Sequence, residues 1–417
     1  MKPSFKTLVS CLLFCMSMSL FPNSVFSAIT KSETPTEASF GQNVTNLVFT
    51  WSTDAHRKGN YKSAVMGYSL VSFSPYLKEK EQMFIEAHKV LADNGISIET
   101  VKPYYEESPA IINKKHEEYM KANYAIEQMP AYDPLGDYQL MGLRKEYKES
   151  GEARFDSKGL PLIKYDDGFF YNPVTISQYS LTMYGRLMNK FNIEVSTQAM
   201  LNGADKLLEL QNEQGAFPYN FRYHHYIQNS ELQPGWVSSM AQGQAISALL
   251  RVYSYTGDPK YLKAADKSFE FMLTSVEEGG ALDSTQDLFS KLGLENEGKI
   301  FLQEYVTTPK NYTLNGYMFT MLGVYDLSQS PSQYAETAGK CFTECNETLI
   351  EILRFYDMGK ITTYDLGHLM KEIDPIINPP YHTIHIHLLQ TLYSITNEPL
   401  YRYYALMWEN YVTYHSS

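Results

Sequence analysis

Glu304-Tyr305, Tyr364 and the run Tyr381-His382-Thr383-Ile384-His385-Ile386-His387 bring an acid, phenols and imidazoles into three short stretches of one chain. A phenol both donates and accepts a hydrogen bond, but near neutral pH it needs help to act as a base. A carboxylate beside several phenols can therefore exchange a proton with a weakly acidic carbon. The three histidines invite a metal reading. However, spacings of three and five do not set all of them on one helical face, and no Cys or carboxylate accompanies them, so no metal is expected. Taken alone, Tyr305 and Tyr364 are equally packing groups at helix ends, and Glu304 a solvated acid. Trp236, directly before an apolar helix, reads as either a core anchor or a platform for a sugar ring.

The composition narrows the partners. Of 417 residues, 34 are Tyr and only 3 Trp, and a ring with a hydroxyl suits a sugar as well as a core. A formal charge of −12 argues against nucleic acid and against a broad polyanion-binding surface. Residues 1–28 read as an export signal: Lys2 and Lys6 precede an apolar run from Leu8 to Phe21, with a small-residue site near Ser27. That run is short for a bilayer and no later segment could span one, so a secreted or periplasmic protein is expected. Cys11 and Cys15 fall in the signal, while Cys341 and Cys345 lie one helical turn apart, awkward for a bridge. Sequons stand at Asn43, Asn311 and Asn346.

These residues must be positioned by helices. Residues 29–60 are polar without clear periodicity and read as a loosely ordered lead-in, whereas Lys78 to Asn94 and Ile111 to Gln128 carry helical spacing. Met129 to Gly136 is a turn cluster, and Gly159 to Pro173 reads as a short hairpin or extended arm. A recurring unit follows: apolar helix, Tyr, turn, Pro, second helix. It occurs at Leu250 to Ala264, Leu322 to Ala338 and Leu392 to Ala405, with six positions from Tyr253, Tyr325 and Tyr393 to Pro259, Pro331 and Pro399. Pro is expected to open the second helix, where its missing N–H costs nothing. Helical hairpins repeated in this way make a mainly α fold, an (α/α) toroid. Loops at Phe217 to Tyr219, Ala281 to Asp283 and Thr363 to Asp365 then gather at one rim. The domains expected are the signal (1–28), a partly helical N-terminal region (29–158) and the toroid (159–417).

Four stretches, in order, resemble the C-terminal domain of the heparan sulfate and heparosan D-glucuronyl C5-epimerases. They are Tyr171 to Leu181; Pro234 to Ser247; Glu304 to Pro309 with Leu314 to Met318 and Tyr325 to Leu327; and Thr363 to His368 with Tyr381 to His385. The resemblance covers about residues 159–417, with an apparent insertion near 283–299. It implies a cofactor-independent isomerase that inverts C5 of glucuronate in a heparosan-like polysaccharide. Glu304 and Tyr381 would be the proton-exchanging pair, and Tyr305 and Tyr364 hydrogen-bond donors or relays. Tyr179, Trp236, Gln242, Asn315, His368, His382 and His385 would be substrate-binding, with His387 only packing. The animal enzymes form dimers, so a homodimer is within what the resemblance allows.

Two departures stand out. Family members commonly carry Arg at the position of Gly367, a planar fork suited to the uronate carboxylate. Here His368, Lys310 and Lys371 are the neighbours that could take its place. Residues 29–158 show no run of strands like the β-rich domain of the animal enzymes, so that domain's calcium is not carried over. The competing readings are a polysaccharide lyase, which shares the first proton abstraction, and a silent glycan-binding protein. A glycoside hydrolase wants two facing carboxylates, and the motifs supply only Glu304 as a clear candidate.

Overall fold

The computed structural model describes residues 37–74, 77–104, 110–144, 148–226 and 230–413; the expected export signal lies outside them. The fold is mainly helical, and it divides into two compact units. Among the described residues, one holds those up to Ile126, Asp357–Thr362 and those from Thr396 on; the other holds those of Glu127–Tyr356 and Thr363–Ile395. No helix among the described residues is long and apolar enough to cross a membrane.

The first unit contains α1 (Glu37–Arg57), α2 (Tyr61–Ser72), α3 (Glu79–Asp93), α4 (Ala110–Ala122) and the C-terminal helix Pro399–Val412. Helix α1 corrects the expectation of a loosely ordered lead-in. Val44, Val48 and Ala55 recur at helical spacing and are buried with Ala64, Tyr68, Val71 and Ile85. The Ser and Thr residues that hid this stripe bond back to the preceding turn, as Thr45 does to Gly41 O (2.9 Å) and Ser52 to Val48 O (2.7 Å). The C-terminal helix packs on α3. There, Asp357 accepts bonds from Trp408 Nε1 (3.2 Å) and Tyr411 (3.1 Å).

The second unit opens with a strap. The N–H groups of Glu127, Met129 and Tyr132 donate to His387, Gln390 and Ser394 at 2.9, 2.8 and 3.0 Å. His387 therefore does more than pack: it accepts a backbone hydrogen bond. The expected arm is an antiparallel three-stranded sheet, β1 (Ala153–Phe155), β2 (Pro161–Tyr165) and β3 (Gly168–Phe170), in the order β1-β2-β3. Then come α5 (Pro173–Met188), α6 (Ile193–Leu210), the hairpin β4 (Tyr223–His225) and β5 (Ser230–Leu232), α7 (Ser239–Thr256) and α8 (Pro259–Met272). The segment around residues 283–299 folds as β6 (Leu282–Ser284), α9 (Gln286–Lys291) and β7 (Ile300–Leu302), with β6 and β7 paired. Last are α10 (Leu314–Ser328), α11 (Ala335–Ile352), the short α12 (Gly367–Met370) and α13 (Pro379–Thr396).

Helices α5/α6, α7/α8 and α10/α11 pair as hairpins, and α7 packs on both α5 and α10, the hairpin-on-hairpin order of an (α/α) toroid. Residues 239–252 of α7 are buried all round, as expected of an inner helix. Its close approach to α10 depends on facing glycines: a Cβ at Gly323 would come within 2.5 Å of Gly243 Cα. Pro259 and Pro399 open their helices as expected, but Pro331 does not, because α11 starts four residues later. The intervening Ser332 and Gln333 are held by Asp266 of α8, which keeps them in the turn. Toward the C-terminal ends of α7 and α10, Arg251 and Asp326 form a buried ion pair (2.7 Å), joined by Tyr132 OH (2.9 Å). Cys341 and Cys345 are free and buried.

Candidate active site

Three loops of the second unit are tied together by backbone hydrogen bonds. Gln303 N donates to Ala281 O (2.9 Å), Ser239 N to Gln303 O (2.9 Å), Leu314 N to Tyr364 O (3.1 Å) and Leu366 N to Asn311 O (2.7 Å). Glu304-Tyr305 thus lies between the start of α7, the start of α10 and the Tyr364 loop. Glu304 is 7% exposed, and the hydroxyls of Tyr305 and Tyr364 and the N–H of Gly316 act on its carboxyl in favour of the ionised form. Burial pushes it up to about 8, with Asp365 adding to the rise and the three donors opposing it. Its Oε2 has no hydrogen-bond partner. A Cβ at Gly316 would come within 2.6 Å of the Glu304 carboxyl carbon, so only glycine leaves room for the acid at this helix start.

Tyr381, on the first turn of α13, sets its ring edge-on to Tyr364 with centroids 4.8 Å apart. Its hydroxyl is pushed up to about 12 by burial, then by the charges of Glu304 and Tyr223. Tyr305 and Tyr364 are raised well above the usual phenol range, again mainly by burial. Glu304, Tyr305, Tyr364 and Tyr381 are therefore brought into one cluster.

The other expected residues divide. Trp236 is half-buried, stacked on Tyr219 (3.7 Å, 8°) with its Nε1 on Phe221 O, and 6.0 Å from the Tyr305 ring. Asn315 is buried beside Gly316 with its Oδ1 unpartnered. His382 and His385 are buried on α13, and burial holds His385 well below the usual imidazole range. His368 is lowered to about 4 by burial and is neutral at pH 7. Gln242 turns to α8 instead, accepting from Ser268 (2.9 Å). Tyr179 lines a cleft of about 580 Å³ with Arg144, Met183, Arg186 and Phe191, and none of the other candidates lines it. Lys310 is held by Asp283 (2.6 Å) and Asp287 (3.0 Å), so neither it nor neutral His368 supplies the charge that Gly367 lacks.

Sequence reasoning missed the hairpin's contribution. Tyr223 stacks on Tyr305 (5.7 Å, 15°), and His225 lies 4.8 Å from the same ring and bonds Asn311 (3.2 Å). Tyr226 donates to the buried Asp365. The signal was the aromatic run Tyr223-His224-His225-Tyr226 ahead of Pro234-Gly235-Trp236. Asn311 is buried, which removes its sequon from any exposed surface.

Residues 211–410 match the family model for the D-glucuronyl C5-epimerase C-terminus, and in this region the chain is similar to that family. It is 30% identical over 263 residues to the D-glucuronyl C5-epimerase of Caenorhabditis elegans, an alignment covering 60% of this chain and 41% of that protein. It is 26% identical over 216 residues to an uncharacterized protein of Methanocaldococcus jannaschii, covering 51% of this chain and 64% of that one. The chain thus spans less than two thirds of either relative.

Proposed function

We propose that this protein is a cofactor-independent epimerase that inverts C5 of glucuronate residues, giving iduronate, in a heparosan-like polysaccharide. The observation that carries the reading is the Glu304 carboxyl, buried among the hydroxyls of Tyr305 and Tyr364, with Tyr381 against Tyr364. A hydrogen on a carbon next to a carboxylate is feebly acidic, so its removal needs a base stronger than an ordinary carboxylate. Burial makes Glu304 such a base, with a midpoint of about 8, near a working pH. The ionised Glu304 takes the C5 proton, and the Tyr381 O–H returns one from the other face. Tyr305 and Tyr364 then pass a proton from Glu304 back to the Tyr381 phenolate, and exchange of these hydroxyl protons with solvent between turnovers replaces the one taken from C5. The charge that grows on the uronate carboxylate meets hydroxyl donors and not a guanidinium. Trp236 and Tyr223 offer ring faces to the sugar.

The fold's family and the cluster's chemistry equally support the first step of a lyase, in which the 4-linked group leaves. An ultraviolet assay for unsaturated product, run beside chain-length analysis, separates the two: the account predicts no absorbance gain and no shortening. Unsaturated, shortened chains would establish the lyase instead.

A further inference from the structure

Asp365 is a second buried carboxyl whose charge acts on Glu304, and the proton exchange derived above does not use it. Its Oδ2 accepts from Tyr226 and its Oδ1 from Gly367 N (3.0 Å). Tyr226 directly follows β4, whose Tyr223 and His225 lie on the Tyr305 ring. The same hydrogen bond therefore holds the hairpin and touches the acid pair. We propose that Asp365, gripped by Tyr226, is a positioning residue that ties the seating of the β4–β5 hairpin to the proton on Glu304. This rests on the epimerase reading for its purpose, but its geometry stands without it.

The groups that face the pair are few. Glu304 is faced by Tyr305 and Tyr364, by Gly316 N–H, and at longer range by Asp365; its charge in turn acts on Tyr219, Tyr223 and Tyr381. Asp365 is faced by Tyr226 and Gly367 N–H, and its charge acts on Tyr356 and Tyr364. His368, through the Asp365 backbone, is neutral. Burial raises Asp365 to about 7, while the Tyr226 hydroxyl favours its ionised form. An ionised Asp365 makes Glu304 the stronger base. The Tyr226 contact that seats the hairpin, with Tyr223 and His225 on the Tyr305 ring, therefore also strengthens the base. By reciprocity, conditions that change Glu304's proton change the hold on the hairpin.

The test is infrared titration of the buried carboxyl band of the full chain, with the Glu304 band assigned by its loss in Glu304→Gln. Asp365→Asn and Tyr226→Phe are both expected to move the Glu304 midpoint down, by on the order of one pH unit for the first and less for the second. Hydrogen exchange in peptides covering Tyr223–His225 is expected to speed up in both. A midpoint unmoved in Asp365→Asn, or unmoved in Tyr226→Phe with hairpin exchange unchanged, overturns the proposal. Should Asp365→Asn not fold, Tyr226→Phe decides alone, because it leaves both carboxyls in place. Neither readout needs turnover, so absence of epimerase activity counts against the function and not against this coupling.

Discussion

Gly316 and Glu304 are fitted to each other: the missing side chain at Gly316 leaves the space in which the Glu304 carboxyl sits, and the Gly316 N–H favours its ionised form. In an ordinary helix, Gly→Ala gains about 1 kcal/mol. Here the added methyl would collide with the carboxyl, and overpacking of this kind costs about 1–3 kcal/mol. Gly316→Ala is therefore expected to lower the melting temperature and cut C5 exchange by about 100-fold or more, since a displacement of about 1 Å is enough for that. A more stable, fully active variant would show that Glu304 has room to spare.

Tyr381→Phe removes one hydroxyl and leaves the ring against Tyr364. Exchange at C5 is expected to fall to background while the melting temperature moves by only a degree or two, since the change touches no core packing. Retained exchange would remove Tyr381 from the proton path.

The pH profile follows from Glu304. If its ionised form is the base, exchange rises with pH and levels off above about 8. Stability runs the other way. The folded protein keeps this proton where the unfolded chain, near 4.5, has released it, so stability falls between about 4.5 and 8. Asp365, raised from 3.8 to about 7, adds to the same slope. Glu304→Gln is expected to gain stability over wild type at pH 8 and little at pH 5 in thermal melts. An equal gain at both would mean that Glu304 is not a buried acid.

Arg251 and Asp326, 0% and 1% exposed, hold each other where no water reaches. Arg251→Ala strands the Asp326 carboxyl, and breaking such a pair costs about 3–5 kcal/mol. Urea denaturation is expected to show that loss, while Asp54→Ala, which removes the exposed Lys58 pair, changes stability by less than about 1 kcal/mol.

The sequence patterns that carried most were local ones. The Tyr-turn-Pro unit marks the α7/α8 junction because Asp258 and Pro259 set a helix start within a few residues. Glu304, Tyr305, Tyr364 and Tyr381 were legible only through their motifs, since nothing in their spacing says that Leu314 N will meet Tyr364 O. What was missed needed three dimensions. Helix α1 was hidden by hydroxyl residues that bond to their own helix. Tyr226 meets Asp365 across 139 positions of chain. No sequence pattern announces that the C-terminal helix packs on α3. Gln242 and Tyr179 lie in stretches read as resembling the family, yet Gln242 faces a neighbouring helix and Tyr179 a separate cleft.

The most direct measurement of the central claim is proton NMR of a desulfated glucuronate polymer incubated with the protein in deuterated water. The account predicts loss of the C5 proton signal, growth of iduronate resonances and no unsaturated product, with neither change in Glu304→Gln or Tyr381→Phe. Undiminished C5 signal on every uronate polymer tried, from protein shown to be folded, would contradict it.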